Sequence, residues 1–149
     1  MKKEPYRDYA TEAFRFLAIE GSSAKYRQKI WNEAIEEQRR AETSGTGISC
    51  PTEAAILRAD EAIFNAEAAI ADLEAAEFAR DTLEKMRGLP AVKALKTVYM
   101  QDPDKPIGRG EIEDRVHYSV INYHASERTI YGWLALARRL FAERRGLRT

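Results

Sequence analysis

The chain reads as all-α, and three observations predict it. Apolar residues recur at the 3.6 period of a helix in segment after segment, Gly and Pro fall at the breaks between those segments, and Thr52 to Arg87 contains neither. At 149 residues, 44% hydrophobic and 32% charged, the chain is long enough for one cored domain or a small domain with an extension. Its composition argues against wholesale disorder.

Residues 6–20 place Tyr9, Ala13, Phe16, Leu17 and Glu20 at helical spacings. Gly21-Ser22-Ser23 interrupts them, and Ser22 or Ser23 can cap a second helix from about Ala24 to Glu42. Tyr26, Ile30, Trp31, Ala34 and Ile35 make its apolar stripe, and Glu36 to Arg40 is a favourable i,i+4 pair. An antiparallel helical hairpin is expected. The dense aromatics here (Tyr6, Tyr9, Phe14, Phe16, Tyr26 and Trp31) read as core and interface filling. Thr43 to Pro51 is the clearest loop. Its Gly-Thr-Gly lacks the spacing and lysine of a phosphate-binding loop, and it follows a helix instead of a strand.

Thr52 to Arg87 is then expected as one long, Ala-rich, acidic helix. Ile56, Ile63 and Ile70 are spaced by seven, with Ala59, Ala66 and Leu73 three residues after each, and Leu57, Phe64, Ala71 and Phe78 run alongside. This is coiled-coil patterning. A straight helix of that length would span roughly 54 Å, whereas a compact globule of this size has a radius of gyration of about 15 Å. The helix must therefore kink or form a stalk, packed on the hairpin or on a second copy. Ile56, Ile63, Ile70 and Leu73 are the expected oligomerisation residues, with a homodimer as the implied partner and a three-helix bundle within one chain as the competing arrangement.

Gly88-Leu89-Pro90 ends that helix and starts the next, Gly at the stop and Pro in the first turn. A domain boundary is expected here, separating a helical packing part (1–87) from a C-terminal module (88–149). Val92, Leu95, Val98 and Tyr99 mark a short apolar helix, and Asp102-Pro103-Asp104-Lys105-Pro106 forces a loop. Glu111 to Tyr118 reads as a short helix with Ile112 and Val116 inward and Glu111 and Arg115 outward. A seven-residue connection, Ser119 to Ala125, leads to the last helix. Ser126 is its N-cap, and Ile130, Trp133, Leu134, Ala137, Leu140 and Phe141 form one stripe. Glu127, Arg128, Tyr131, Ala135 and Arg138 are expected on the opposite face. Arg144 and Arg145 suit the negative helix end, and Gly146 is a left-handed stop. Helix, loop, short helix, turn and long amphipathic helix is the order of a helix-turn-helix module.

Charge is divided along the chain. Lys plus Arg equals Asp plus Glu, yet residues 53–86 hold 3 basic and 9 acidic side chains, a net −6, and residues 88–149 hold 11 and 7, a net +4. A lone cysteine, Cys50, excludes an intramolecular disulfide framework and fits a reducing cytoplasm. No apolar run approaches the roughly 20 residues of a membrane span, and the N-terminus lacks the apolar core of a signal peptide. A cytoplasmic protein without membrane contact is expected. His117 and His124 are the only histidines, and no metal-ligand spacing or nucleophile motif is present. Neither an enzyme, a cofactor nor a metal site is expected.

The stretches YRDYATEAFRF, PTEAAILRA, VYMQDPDKP and SERTIYGWLALARRLFAERRGL resemble small phage and prophage regulators of the ArpU/RinA kind. The C-terminal half resembles the promoter-reading helix-turn-helix, region 4, of sigma factors. The resemblance implies a DNA-binding regulator of phage late genes, with Glu111 to Tyr118 as the positioning helix and Ser126 onward as the recognition helix. Two departures stand out. The connection is longer than the usual three or four residues, and Gly132 lies inside the recognition helix, at a cost of about 1 kcal/mol relative to Ala.

On that reading Arg128 can address guanine O6 and N7, and Ser126, Thr129 and Tyr131 suit phosphates. Arg115, Arg138, Arg139, Arg144 and Arg145 complete the expected DNA contacts, the arginine pairs supplying salt-dependent attraction. The partners implied are double-stranded DNA and RNA polymerase. Two alternatives stand beside it: a helical adaptor that binds RNA polymerase or another phage protein, and a packaging component like a small terminase subunit.

Overall fold

The computed structural model describes residues 4–42 and 52–149. The glycine-rich stretch Thr43 to Pro51, with Cys50, lies outside the described residues, as do residues 1–3. The described residues form seven α-helices and no strand: α1 (Arg7–Glu20), α2 (Ser23–Ala41), α3 (Glu53–Asn65), α4 (Glu67–Arg87), α5 (Leu89–Tyr99), α6 (Glu111–Tyr123) and α7 (Glu127–Arg145). The protein is all-α.

Local chemistry sets most of the boundaries. Ser22 caps α2 by accepting from the Lys25 backbone N–H at 3.0 Å, and Thr52 caps α3 by accepting from that of Ala55 at 3.1 Å. Gly88, at φ 88°, ends α4, and Pro90 sits in the first turn of α5. Gly146, at φ 76° and ψ 23°, is the left-handed stop after α7.

The expected single helix from Thr52 to Arg87 is broken at Ala66, which leaves helical geometry at φ −94°, ψ 9°. Its N–H is shared among the carbonyls of Ala62, Ile63 and Phe64. The two halves have different partners: α3 packs on α2, whereas α4 packs mainly on α7 and α1. One straight rod cannot satisfy both, and Asn65, a poor helix former, marks the bend.

Helix pairing differs from the expected N-terminal hairpin in the same way. The dominant partner of α2 is α3, and that of α1 is α4. The α2–α3 pair is an arm whose buried apolar residues are all alanines, Ala34, Ala55 and Ala59. Everything else packs into one body. Phe14 and Leu17 of α1, Leu73 and Leu83 of α4, Leu95 and Val98 of α5, Val116 of α6, and Ile130, Leu134 and Phe141 of α7 form a single buried cluster. Phe14 lies at its centre, stacked on Tyr99 at 6.3 Å and tilted against Phe141 at 6.1 Å.

That cluster runs straight across the boundary expected at 87/88. The reason is α7, whose apolar stripe is covered chiefly by α4. The division the structure displays is instead between the body and the α2–α3 arm. Ile70 and Leu73, expected to face a second copy, are 4% and 0% exposed within their own chain.

Candidate functional site

The expected seven-residue connection before the last helix contracts to three residues. Helix α6 continues to Tyr123, five residues beyond its expected end, leaving His124, Ala125 and Ser126 as the link to α7. Val120, Ile121 and Asn122 are weak helix formers, but burial of the helix at Ser119 and a contact from α5 to Tyr123 extend it past them. Ser119 is fully buried with its hydroxyl donating to the Arg115 carbonyl at 2.9 Å, and the Tyr123 hydroxyl meets Thr97 Oγ1 at 2.7 Å. His124 then turns the chain in the left-handed region, φ 53° and ψ 44°.

Ser126 opens α7 as expected, its Oγ accepting from the Thr129 N–H at 3.1 Å and lying 2.8 Å from the Thr129 hydroxyl. Both residues are exposed. Below them α7 divides into two faces. Ile130, Leu134, Ala137, Phe141 and Ala142 are buried. The outer stripe runs through Arg128, Gly132, Ala135 and Arg139, within about 60° of one another at 100° per residue, so that an arginine stands at each end of a small-residue surface. A Cβ added at Gly132 would meet no atom within 4 Å. Arg128 is exposed and makes no ion pair among the described residues, and Arg139 reaches Glu143 at 3.0 Å on the surface.

Three expected DNA contacts, Arg138, Arg115 and Arg145, are held by the protein itself, while Arg144 stays exposed. Arg138 is 6% exposed, donating from Nε and Nη2 to Glu4 at 2.8 and 3.0 Å and from Nη1 to the Tyr99 hydroxyl at 2.6 Å. Arg115, expected outward, is also buried, bonded to the Val98 carbonyl and to Glu111, both at 2.9 Å. Arg145 donates to Asp72 of α4 at 2.7 Å, and Asp72 also accepts from the Tyr9 hydroxyl at 2.5 Å. Arg144 lies 4.8 Å over the Phe78 ring. Tyr131 is half-buried on the flank of α7 nearer Arg138, and burial, then the charges of Glu127 and Glu113, raise its phenol above the usual range. The common cause is amphipathic: a long cationic side chain can lay its stem on apolar surface while its head finds an acid.

The electrostatics around this face are mixed. Glu111 at the start of α6 accepts from the Gly108 N–H at 2.7 Å; that bond, opposed by partial desolvation and aided by Arg115, keeps its carboxyl below the usual range. Glu113 and Asp114 stay exposed in the same turn, where they suit the positive helix end. The outer face of α6 continues through His117, Tyr118 and Ile121, with no cation on it.

Among the described residues no group of His, Cys, Asp or Glu stands together as a metal site, and no helix is long and apolar enough to cross a membrane. Comparisons with protein families, with curated proteins and with solved structures find no match.

Proposed function

We propose that this chain is a sequence-reading double-stranded DNA-binding protein, a transcriptional regulator that lays α7 in the major groove. The observation that carries the proposal is the outer stripe of α7, with Arg128, Gly132, Ala135 and Arg139 standing free of the core directly after a three-residue turn from α6. A turn of three or four residues is what joins the two helices of a helix-turn-helix. Residues near the N-terminus of the second helix reach base edges. Arg128 reads a guanine, Ser126 and Thr129 present hydroxyls to the backbone, and Gly132 and Ala135 let the helix approach closely. Arg139 and Arg144 supply attraction to phosphates. Arg115, Arg138 and Arg145 act in this reading as internal ties that hold α6 and α7 at a set angle.

The test is fluorescence anisotropy of a duplex from the protein's own genomic neighbourhood, titrated at several salt concentrations. A steep negative log–log salt slope, with a scrambled duplex competing only at high excess, is the expected result. Absence of binding at low salt sinks the proposal. It would leave the second reading, a helical adaptor for RNA polymerase or another protein. The outer face of α6 favours that one, because Tyr118 and Ile121 are 54% and 72% exposed beside Asp114.

A further inference from the structure

The elbow where the arm meets the body holds an open cleft remote in sequence from α7. A hollow of about 650 Å³, lined in part by Trp31, Ile63 and Arg27, continues into one of about 450 Å³ that adds Phe64, Glu67 and Ile70. Arg27, Asp60, Ile63 and Glu74 line both, so the two are one trough between α2, α3 and the first turns of α4.

Its origin is the break at Ala66. The arm closes on itself through alanines, and the bend carries α4 away to pack against α7 and α1. The large side chains at the bend are left without a covering helix. Phe64 is 72% exposed, the highest value of any phenylalanine described. Phe64 stands beside Trp31 and Ile63 in a trough that is half apolar and half polar or charged, and the three together make a contiguous surface a partner can cover.

Charge indicates what covers it. Among the described residues that line it, Asp60, Glu67 and Glu74 stand against one cation, Arg27, which bonds Glu74 at 3.5 Å. Asp60 and Glu67 are exposed and make no ion pair among the described residues. The whole segment 53–86 is acidic, 3 basic against 9 acidic side chains. Nucleic acid is excluded by such a rim. A second copy docking cleft to cleft would bring Asp60 and Glu67 against the same carboxylates, and like-charge juxtaposition selects against that pairing.

We propose that this trough docks an amphipathic α-helix of a partner protein. Its apolar stripe covers Trp31, Ile63 and Phe64, and Lys or Arg residues beside that stripe meet Asp60 and Glu67. Helix-in-groove recognition seats apolar anchors at i, i+3 or i+4 and i+7 on side chains such as Trp31, Ile63 and Phe64, with charges beside them. The site is independent of DNA binding by α7, and together the two would let one chain bridge DNA and a second protein.

The experiment uses the full chain and a fluorescein-labelled 18-residue Leu/Lys peptide of helical amphipathic periodicity. A Leu/Glu peptide of the same periodicity and a Leu/Lys peptide scrambled to remove the stripe serve as controls. Saturable binding of the first peptide alone is expected. Phe64→Ser and Asp60→Lys should each weaken it at least tenfold without moving the melting temperature, since both side chains are exposed. No binding of the Leu/Lys peptide, equal binding of the scrambled one, or indifference to both variants overturns the proposal. So does light scattering that finds a dimer which Phe64→Ser dissociates, because the trough would then belong to a second copy.

Discussion

Arg138 in the last helix and Glu4 ahead of the first form a bidentate pair, Nε and Nη2 donating at 2.8 and 3.0 Å across 134 positions of sequence. The guanidinium is almost fully buried and also donates to Tyr99, so α5, α7 and the segment ahead of α1 are tied through one side chain. The segment ahead of α1 is thereby closed onto the body.

Glu4→Gln should destabilise the protein by about 1–3 kcal/mol at neutral pH, because it leaves a buried guanidinium without its counter-charge. The hydrogen bonds from Arg138, opposed by burial and aided by the charges of Arg138 and Arg7, hold the Glu4 carboxyl below its ordinary 4.5. A carboxyl lowered in the folded state contributes stability above its unfolded value and loses it as pH falls through the folded one. The difference between wild type and Glu4→Gln should therefore be full at pH 7 and narrow below about pH 4.5. Urea denaturation at pH 7 and pH 3 measures it, and an unchanged gap would remove the ion pair from the account.

Arg128 and Arg145 should separate binding from stability. Arg128→Ala is expected to lose about 1–3 kcal/mol of discrimination between operator and scrambled duplex while melting as wild type does. Arg145→Ala breaks a partly buried pair with Asp72 and should cost roughly 1 kcal/mol of stability, with sequence preference intact. Paired melting curves and competition titrations decide. If Arg128→Ala keeps its preference, α7 is not the reading helix.

Gly132 offers a contrast within one position. Nothing lies within 4 Å of an added Cβ, so Gly132→Ala should stabilise the helix by about 1 kcal/mol. Gly132→Leu should fold equally well yet lower DNA affinity at least tenfold by filling the approach surface. Wild-type affinity in the Leu variant would show that this stripe does not meet DNA.

His124 carries the turn between α6 and α7 at φ 53°. For an L residue that region costs about 1–2 kcal/mol relative to right-handed helix, offset in glycine by the greater freedom of its unfolded chain. His124→Gly is thus expected to stabilise slightly, by about 0.5 kcal/mol, and His124→Val to destabilise by about 1–2 kcal/mol. Thermal melting checks both, and a stabilised Val variant would mean the turn has another geometry.

Much of this molecule was written locally. Helical periodicity, the caps at Ser22 and Ser126, and the stops at Gly88 and Gly146 depend on residues within one turn of each other, and each stands where the sequence predicts it. The inner stripe of α7 was legible for the same reason, and so was the exposure of Arg128. The length of α6 was not, because Val120, Ile121 and Asn122 argue against a helix that the Thr97–Tyr123 contact holds in place. Phe64 stood in a heptad line that reads as packing, and only the bend at Ala66 leaves it uncovered.

Sequence by itself determined that the protein is all-α, where most helices begin and end, and which side of the last helix is apolar, because these follow from short-range hydrogen bonding and periodic burial. Tertiary structure alone decided which helices pair, where the long Ala-rich stretch bends, and which arginines remain available. Those outcomes depend on partners 17, 73 and 134 positions away, Val98 for Arg115, Asp72 for Arg145 and Glu4 for Arg138. An arginine near a helix end looks the same in sequence whether its charge faces solvent or a distant carboxylate, and only packing of the whole chain tells them apart.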